Sequence, residues 1–149
     1  MARRYSVSGN RTLTAAKTII NVTSAATVRP KIYEFSLGSD ATPADNCSSF
    51  IVQRHTAAGT STAFTPIALD NGDPAALASA GYNHTVEPTL TASSFLYQSA
   101  LNQRATFRWV AAPGSEFVLP ATAANGASIV TNAIGGSGTN CLATILYEE

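Results

Sequence analysis

Apolar residues in this chain never recur at helical spacing for three full turns. They come in short runs rich in β-branched and aromatic side chains, separated by clusters of Gly, Pro, Asn, Asp and Ser. Runs this short bury a face only by pairing with one another, so the chain reads as all-β. Lys17–Thr23 alternates, with Thr18, Ile20 and Val22 on one face and Ile19 and Asn21 on the other. In Lys31–Leu37, Tyr33, Phe35 and Leu37 are expected to face the core, with Ile32, Glu34 and Ser36 opposite. Ser49–His55 sets Phe50, Val52 and Arg54 against Ile51 and Gln53. Further strands are expected at Asn83–Glu87, Ser93–Leu101, Arg104–Ala111, Glu116–Leu119, Ser128–Ile134 and Cys141–Tyr147. In the last, Leu142 and Leu146 oppose Cys141, Ala143, Ile145 and Tyr147.

Arg3–Val7 reads as an edge strand or an arm, so residues 1–8 are a candidate N-terminal arm on a single domain spanning 1–149. Ser39–Asn46 reads as a loop. From Thr56 to Gly81 the alternation dissolves into Thr, Ala, Gly and Pro around a turn at Asp70-Asn71-Gly72-Asp73-Pro74. A structureless stretch of that length is uncommon in a compact domain and implies a function or a partner. One helical turn fits Pro74–Ala80, with Asp73 as N-cap and Pro74 at the first helical position. Gly135-Gly136-Ser137-Gly138 reads as a flexible turn. Eight or nine short strands with one long loop excursion suit an antiparallel jelly-roll sandwich. An immunoglobulin-like sandwich ranks second, because the Cys…Trp…Cys spacing is missing. The expected core includes Phe35, Ile51, Phe107, Trp109 and Ile145.

Charge then narrows the function. Only 12% of the residues are Asp, Glu, Lys or Arg, about half the roughly 25% of an ordinary soluble domain. Thr, Ser, Asn and Gln supply the remaining polarity, and such groups are cheaper to desolvate than charges. A surface of this kind suits coverage by another protein. Lys+Arg and Asp+Glu each total 9, so no single-sign field draws in nucleic acid or an anionic membrane. No apolar run has the length of a signal peptide or of a membrane span. Cys47 and Cys141 are accordingly expected as cytoplasmic thiols.

Candidate chemistry is sparse. His55 and His84 lie in separate elements without metal-ligand spacing and read as surface or interface groups. No GxSxG elbow places a serine nucleophile. Gly135–Gly138 lacks the Lys-Ser/Thr of a phosphate loop. Asp70 and Asp73 read as turn chemistry rather than as a calcium loop or an acid–base pair. The Asn-X-Ser/Thr triplets at Asn10, Asn21, Asn46 and Asn83 are those expected by chance in a Ser/Thr-rich chain. Trp109 beside Phe107 reads as core rather than as a sugar platform. No catalytic residue, metal or cofactor is assigned.

One group of segments has a familiar order. Gln53-Arg54-His55-Thr56-Ala57-Ala58-Gly59-Thr60 is followed by Thr65-Pro66 and by Leu69-Asp70-Asn71-Gly72-Asp73-Pro74-Ala75-Ala76. Glu87-Pro88-Thr89-Leu90, then Asn102 to Gly114 and the terminal Tyr147-Glu148-Glu149, complete it. This order resembles the jelly-roll capsid decoration, or cement, proteins of tailed bacteriophages. The resemblance implies a non-enzymatic homotrimer on the outside of the virion capsid, made in the host cytoplasm. Its partner would be the major capsid protein, and its role would be to stabilise the shell against internal DNA pressure. The residues read as capsid or subunit contacts are Arg3, Arg4, Tyr5, Asp70 and Asp73. Two other readings are a receptor- or glycan-binding domain of a phage fibre or tail, exposing Trp109, Tyr82 or Tyr97, and a cupin-like metalloenzyme.

Overall fold

The computed structural model describes residues 2–13, 15–40, 42–131 and 139–149. Among these there is no helix, and twelve strands form two antiparallel sheets around one shared core. The strands are β1 (Arg4–Leu13), β2 (Lys17–Thr23), β3 (Lys31–Asp40), β4 (Cys47–Ala57), β5 (Thr60–Phe64) and β6 (Ile67–Ala68). They continue with β7 (Ser79–Val86), β8 (Thr89–Asn102), β9 (Phe107–Val110), β10 (Phe117–Val118), β11 (Gly126–Thr131) and β12 (Thr139–Glu148). The first sheet runs β10-β3-β12-β1-β6, with β9 also on β3, and the second runs β5-β7-β2-β11-β4-β8. The chain changes sheet at each step from β1 to β4, from β5 to β7, from β8 to β9 and from β10 to β12. This gives the protein its jelly-roll-like sandwich. The Gly135–Gly138 turn lies outside the described residues.

Alternating apolar residues fill the space between the sheets. Tyr5, Val7, Ile20, Val22, Ile32, Phe35, Ile129, Ile145 and Tyr147 are each no more than 1% exposed. Full burial of such a side chain is worth roughly 1.5–3 kcal/mol. In β12 the expected face is the buried one, since Cys141, Ala143, Ile145 and Tyr147 are inside and Leu142 is exposed. In β3 the expectation needs correction. The ladder to β12 shifts register between Leu146 and Tyr147, which pair with Glu34 and Ile32. Tyr33 is therefore the extra residue of a bulge, and Ile32 joins Phe35 and Leu37 in the core. A single inserted residue reverses the facing of everything beyond it.

Three more expectations are revised. Of the two readings of the N-terminal segment, the strand holds and the arm does not. β1 pairs with β12 over ten consecutive partners, from Arg4↔Glu148 to Leu13↔Thr139, and Tyr5 and Val7 are fully buried. The Thr56–Gly81 excursion is built into the chain's own sheets, with β5 on β7 and β6 on β1. No helical turn forms at Pro74–Ala80, because the backbone there is irregular until β7 begins at Ser79.

The expected core is met in part. Phe35 and Ile145 are central, and Ile51 is buried on the outward face of the second sheet. Phe107 and Trp109 are only partly buried. They join Tyr97 of β8 and Phe117 of β10 to close one open side of the sandwich. The Trp109 ring stacks on Phe117 at 4.3 Å and on Phe35 at 5.3 Å.

Candidate functional site

The N- and C-terminal ends of the chain form one ladder, and a surface concavity opens beside it. Arg3 N donates to Glu149 O at 3.0 Å, and Glu149 N donates back to Arg3 O at 2.9 Å. The Glu149 carboxylate then accepts from Leu77 N at 2.6 Å and Ala78 N at 3.1 Å, which holds that loop against the sheet. On the other edge of β1, Leu69 N donates to Arg4 O at 2.9 Å. Ala2, Arg3, Arg4, Leu69, Asp70 and Asp73 line an open concavity of about 750 Å³.

Four of the five residues singled out as contacts thus meet in one place. Asp70 opens the turn that its composition implied: its Oδ1 accepts from Gly72 N at 2.9 Å, and its backbone O accepts from Asp73 N at 3.0 Å. Asp73 faces Arg3 at 3.9 Å. Arg4 lies over the Tyr33 ring, 5.7 Å from its centroid, so the bulge that displaces Tyr33 from the core also gives Arg4 a platform. Tyr5 is the exception. Its ring stacks on Tyr147 inside the core at 5.6 Å, and its hydroxyl donates to Pro74 O at 3.0 Å. Tyr5 anchors the Pro74 loop from beneath and makes no outward contact.

Sequence reasoning missed the apolar part of this surface. Ile67, Leu69 and Leu77 are 60%, 53% and 60% exposed; Ile67 pairs with Ser6, Leu69 N donates to Arg4 O, and Leu77 N donates to the Glu149 carboxylate. The available signal was Ile67-Ala68-Leu69, a short alternation inside a stretch without other periodicity.

The histidines occupy a different environment from the surface one expected. His55 is 1% exposed and His84 is 3% exposed. His55 Nδ1 shares a hydrogen bond with Ser128 Oγ at 2.9 Å, and Nε2 shares one with Thr23 Oγ1 at 3.1 Å. Its ring lies across Gly126, where a Cβ would come within 2.7 Å of Cε1 and Nε2. Burial, reinforced by the nearby His84, lowers the His55 pKa to about 4. Burial is also the main cause lowering His84, against the upward pull of Glu87. Among the described residues, neither ring nitrogen of His84 has a hydrogen-bond partner.

An ion-pair cluster lies close by. Arg11 Nη1 sits 2.8 Å from Glu87 Oε1 and Lys17 Nζ 3.5 Å from the same oxygen. Burial alone would raise the Glu87 pKa, but the Thr18 N–H together with Arg11 and Lys17 outweighs it and lowers the value. These groups serve the fold: they fasten the ends of β1, β2 and β7 together. Among the described residues, no three His, Cys, Asp or Glu side chains converge in a metal-binding geometry. Cys47 is exposed and Cys141 buried, and both are free. No protein-family model, no curated protein and no solved structure matches the chain.

Proposed function

We propose that this protein is a structural component of a virion, binding the outside of a phage capsid as a homotrimer and reinforcing the shell. The observation that carries the reading is the surface beside the terminal ladder. Leu69 stands exposed among Ala2, Arg3, Arg4, Asp70 and Asp73, and two more exposed apolar side chains flank the same ladder, Ile67 on β6 and Leu77 in the loop held by the Glu149 carboxylate. Exposed apolar side chains rimmed by polar groups mark contact surfaces. Charges of both signs in one patch allow such a surface to meet a different patch on an identical neighbour, and a contact of this heterologous kind closes into a ring when the rotation fits. The low overall charge and the order of segments from Gln53 to Glu149 support the same reading. The function asked of the molecule is mechanical, and contact area supplies it without a reaction.

The glycan-binding alternative loses its best platform in this fold. Trp109 has its ring stacked on Phe117 and Phe35, so those protein rings occupy the position a sugar would take.

The test is a Leu69→Glu/Leu77→Glu double variant. Both side chains are exposed, so circular dichroism should be unchanged. Sedimentation should show the trimer reduced to monomer, and binding to undecorated shells should be lost. A monomeric wild-type protein that also ignores capsids would overturn the proposal.

A further inference from the structure

The backbone of β1 carries a second, independent feature. Arg3 directs its N–H and C=O to Glu149 on the β12 side, and Arg4 directs its C=O to Leu69 on the opposite side. Backbone groups of successive strand residues alternate in direction. Ser8, Asn10 and Thr12 therefore point their N–H and C=O groups away from β12, as Arg4 and Ser6 do. β6 covers that side only at Tyr5 and Ser6. The next residue back along the chain is Pro66, which has no N–H to donate and ends the ladder. Among the described residues no strand pairs with this side of Ser8, Asn10 or Thr12, and all three residues are exposed.

Two other sheet edges carry devices that discourage pairing; among the described residues the Ser8–Thr12 edge carries none. β8, at the edge of the second sheet, is broken by three register shifts against β4 and by Ser93 at φ 56°. The outer edge of β3 is covered by β9 and β10. β1 has a ladder to β12 without a register shift, so its free edge is straight. Its only charged side chain beyond Arg4 is Arg11, whose guanidinium turns back to Thr18 O at 2.9 Å and to Glu87. Bulges, prolines and outward charges are the usual means of blocking an edge. A straight, uncharged edge is built to be paired.

We propose that the Ser8–Thr12 edge of β1 accepts an extended, uncharged segment of a partner protein as an added strand. The segment would continue the line of β6, antiparallel to β1. Main-chain hydrogen bonds supply affinity in such strand addition, and pockets for alternate side chains supply selectivity. A pocket of about 300 Å³ lies at this edge, lined by Ser8, Asn10, Phe64, Tyr82, Leu142 and Thr144 among others. None of these six is charged, and two are aromatic, so the complementary side chain is apolar and the segment around it neutral. The inference goes beyond the capsid reading and stands without it.

The experiment uses the whole protein and an acetylated, amidated heptapeptide, Thr-Val-Thr-Val-Thr-Val-Thr, with amide exchange followed by NMR. Saturating peptide should slow exchange at Ser8, Asn10 and Thr12 by about tenfold or more, leaving Val7, Gly9 and Arg11 unchanged. A Thr-Glu alternating peptide of equal length should give no protection. Asn10→Pro, which removes an outward N–H and spares the β12 ladder, should abolish the effect. Ser8→Lys/Thr12→Lys should abolish it too and provides the answer if the proline variant fails to fold. Unchanged exchange at millimolar peptide would overturn the proposal. So would protection that appears without peptide and grows with protein concentration, because the edge would then be a contact between copies of this chain.

Discussion

The outward faces of the two sheets are built from the same kinds of residue and have opposite fates. On the second sheet, Asn21 and Thr23 of β2, Gln53 and His55 of β4, and Ser128 of β11 point away from the core yet are nearly inaccessible. The β4–β5 and β7–β8 connections run side by side, pairing Ala57 with Thr89 and Thr60 with Val86, and join strands that lie on opposite sides of β2 and β11. Gly59, at φ 73°, packs against Val86 O, and Asn21 Nδ2 donates to Ala58 O at 3.0 Å. Those crossing segments cover β2 and β11. On the first sheet the outward residues Ser8, Asn10, Ser36, Leu142 and Thr144 have no such cover among the described residues. Its ion pairs stand at the margin, with Arg108 on Glu34 at 2.6 Å and Lys31 on Glu148 at 3.3 Å. Neutral polarity thus has two uses. Beneath the crossing segments it avoids the cost of burying charge. On the first sheet it leaves a face that another protein can cover cheaply.

Three measurements can break or sharpen this contrast. The largest effect is expected at Gly126, the gap that admits the His55 ring. A Cβ there would overlap the Val22 carbonyl oxygen and press on the imidazole at 2.7 Å. Gly126→Val should cost about 3 kcal/mol or more in urea unfolding, as overpacking against backbone does. A loss below about 1 kcal/mol would mean that the covered face is loosely packed.

Acid should reveal the same layer. The unfolded chain takes up a proton at His55 near pH 6.5, whereas the folded protein does so only at about 4. Stability is therefore fully present above pH 6.5 and falls as pH drops through that window, by about 3 kcal/mol from this group. His84, whose pKa is lowered as well, acts in the same direction. His55→Gln should flatten the slope between pH 6.5 and 4. An unchanged slope in that variant would place the acid sensitivity elsewhere.

The smallest effect belongs to the open face. Leu142 is 43% exposed, and Leu142→Ser should alter stability by less than about 0.5 kcal/mol. A loss of 2 kcal/mol or so would show that this face is structural, and the contrast between the sheets would fail.

Much of the fold was legible in particular residues. Lys17–Thr23 is β2 with the expected bounds, and β12 buries the face its alternation marked. The Asp70–Asp73 turn has the hydrogen bonds its composition implies. β6 left only the Ile67-Ala68-Leu69 alternation, too short to mark a strand within the Thr, Ala, Gly and Pro around it. The bulge at Tyr33 was not legible, since an inserted residue has no sequence mark of its own. Arg3, Arg4, Asp70 and Asp73 were identified as separate segments, and pairing of β1 with β6 is what brings them together.

The sequence by itself determined the secondary-structure class, most of the strands and which residues alternate within each. These follow from side-chain shape and from the two-residue period of an extended backbone, both local properties. Only the tertiary structure decided which polar faces would be buried and which left open. It also decided that Tyr5 belongs to the core and that His55 and His84 lie inside. Alternation tells which side chains share a face. Whether that face meets water, another sheet or a crossing segment depends on pairings made across the whole length of the chain.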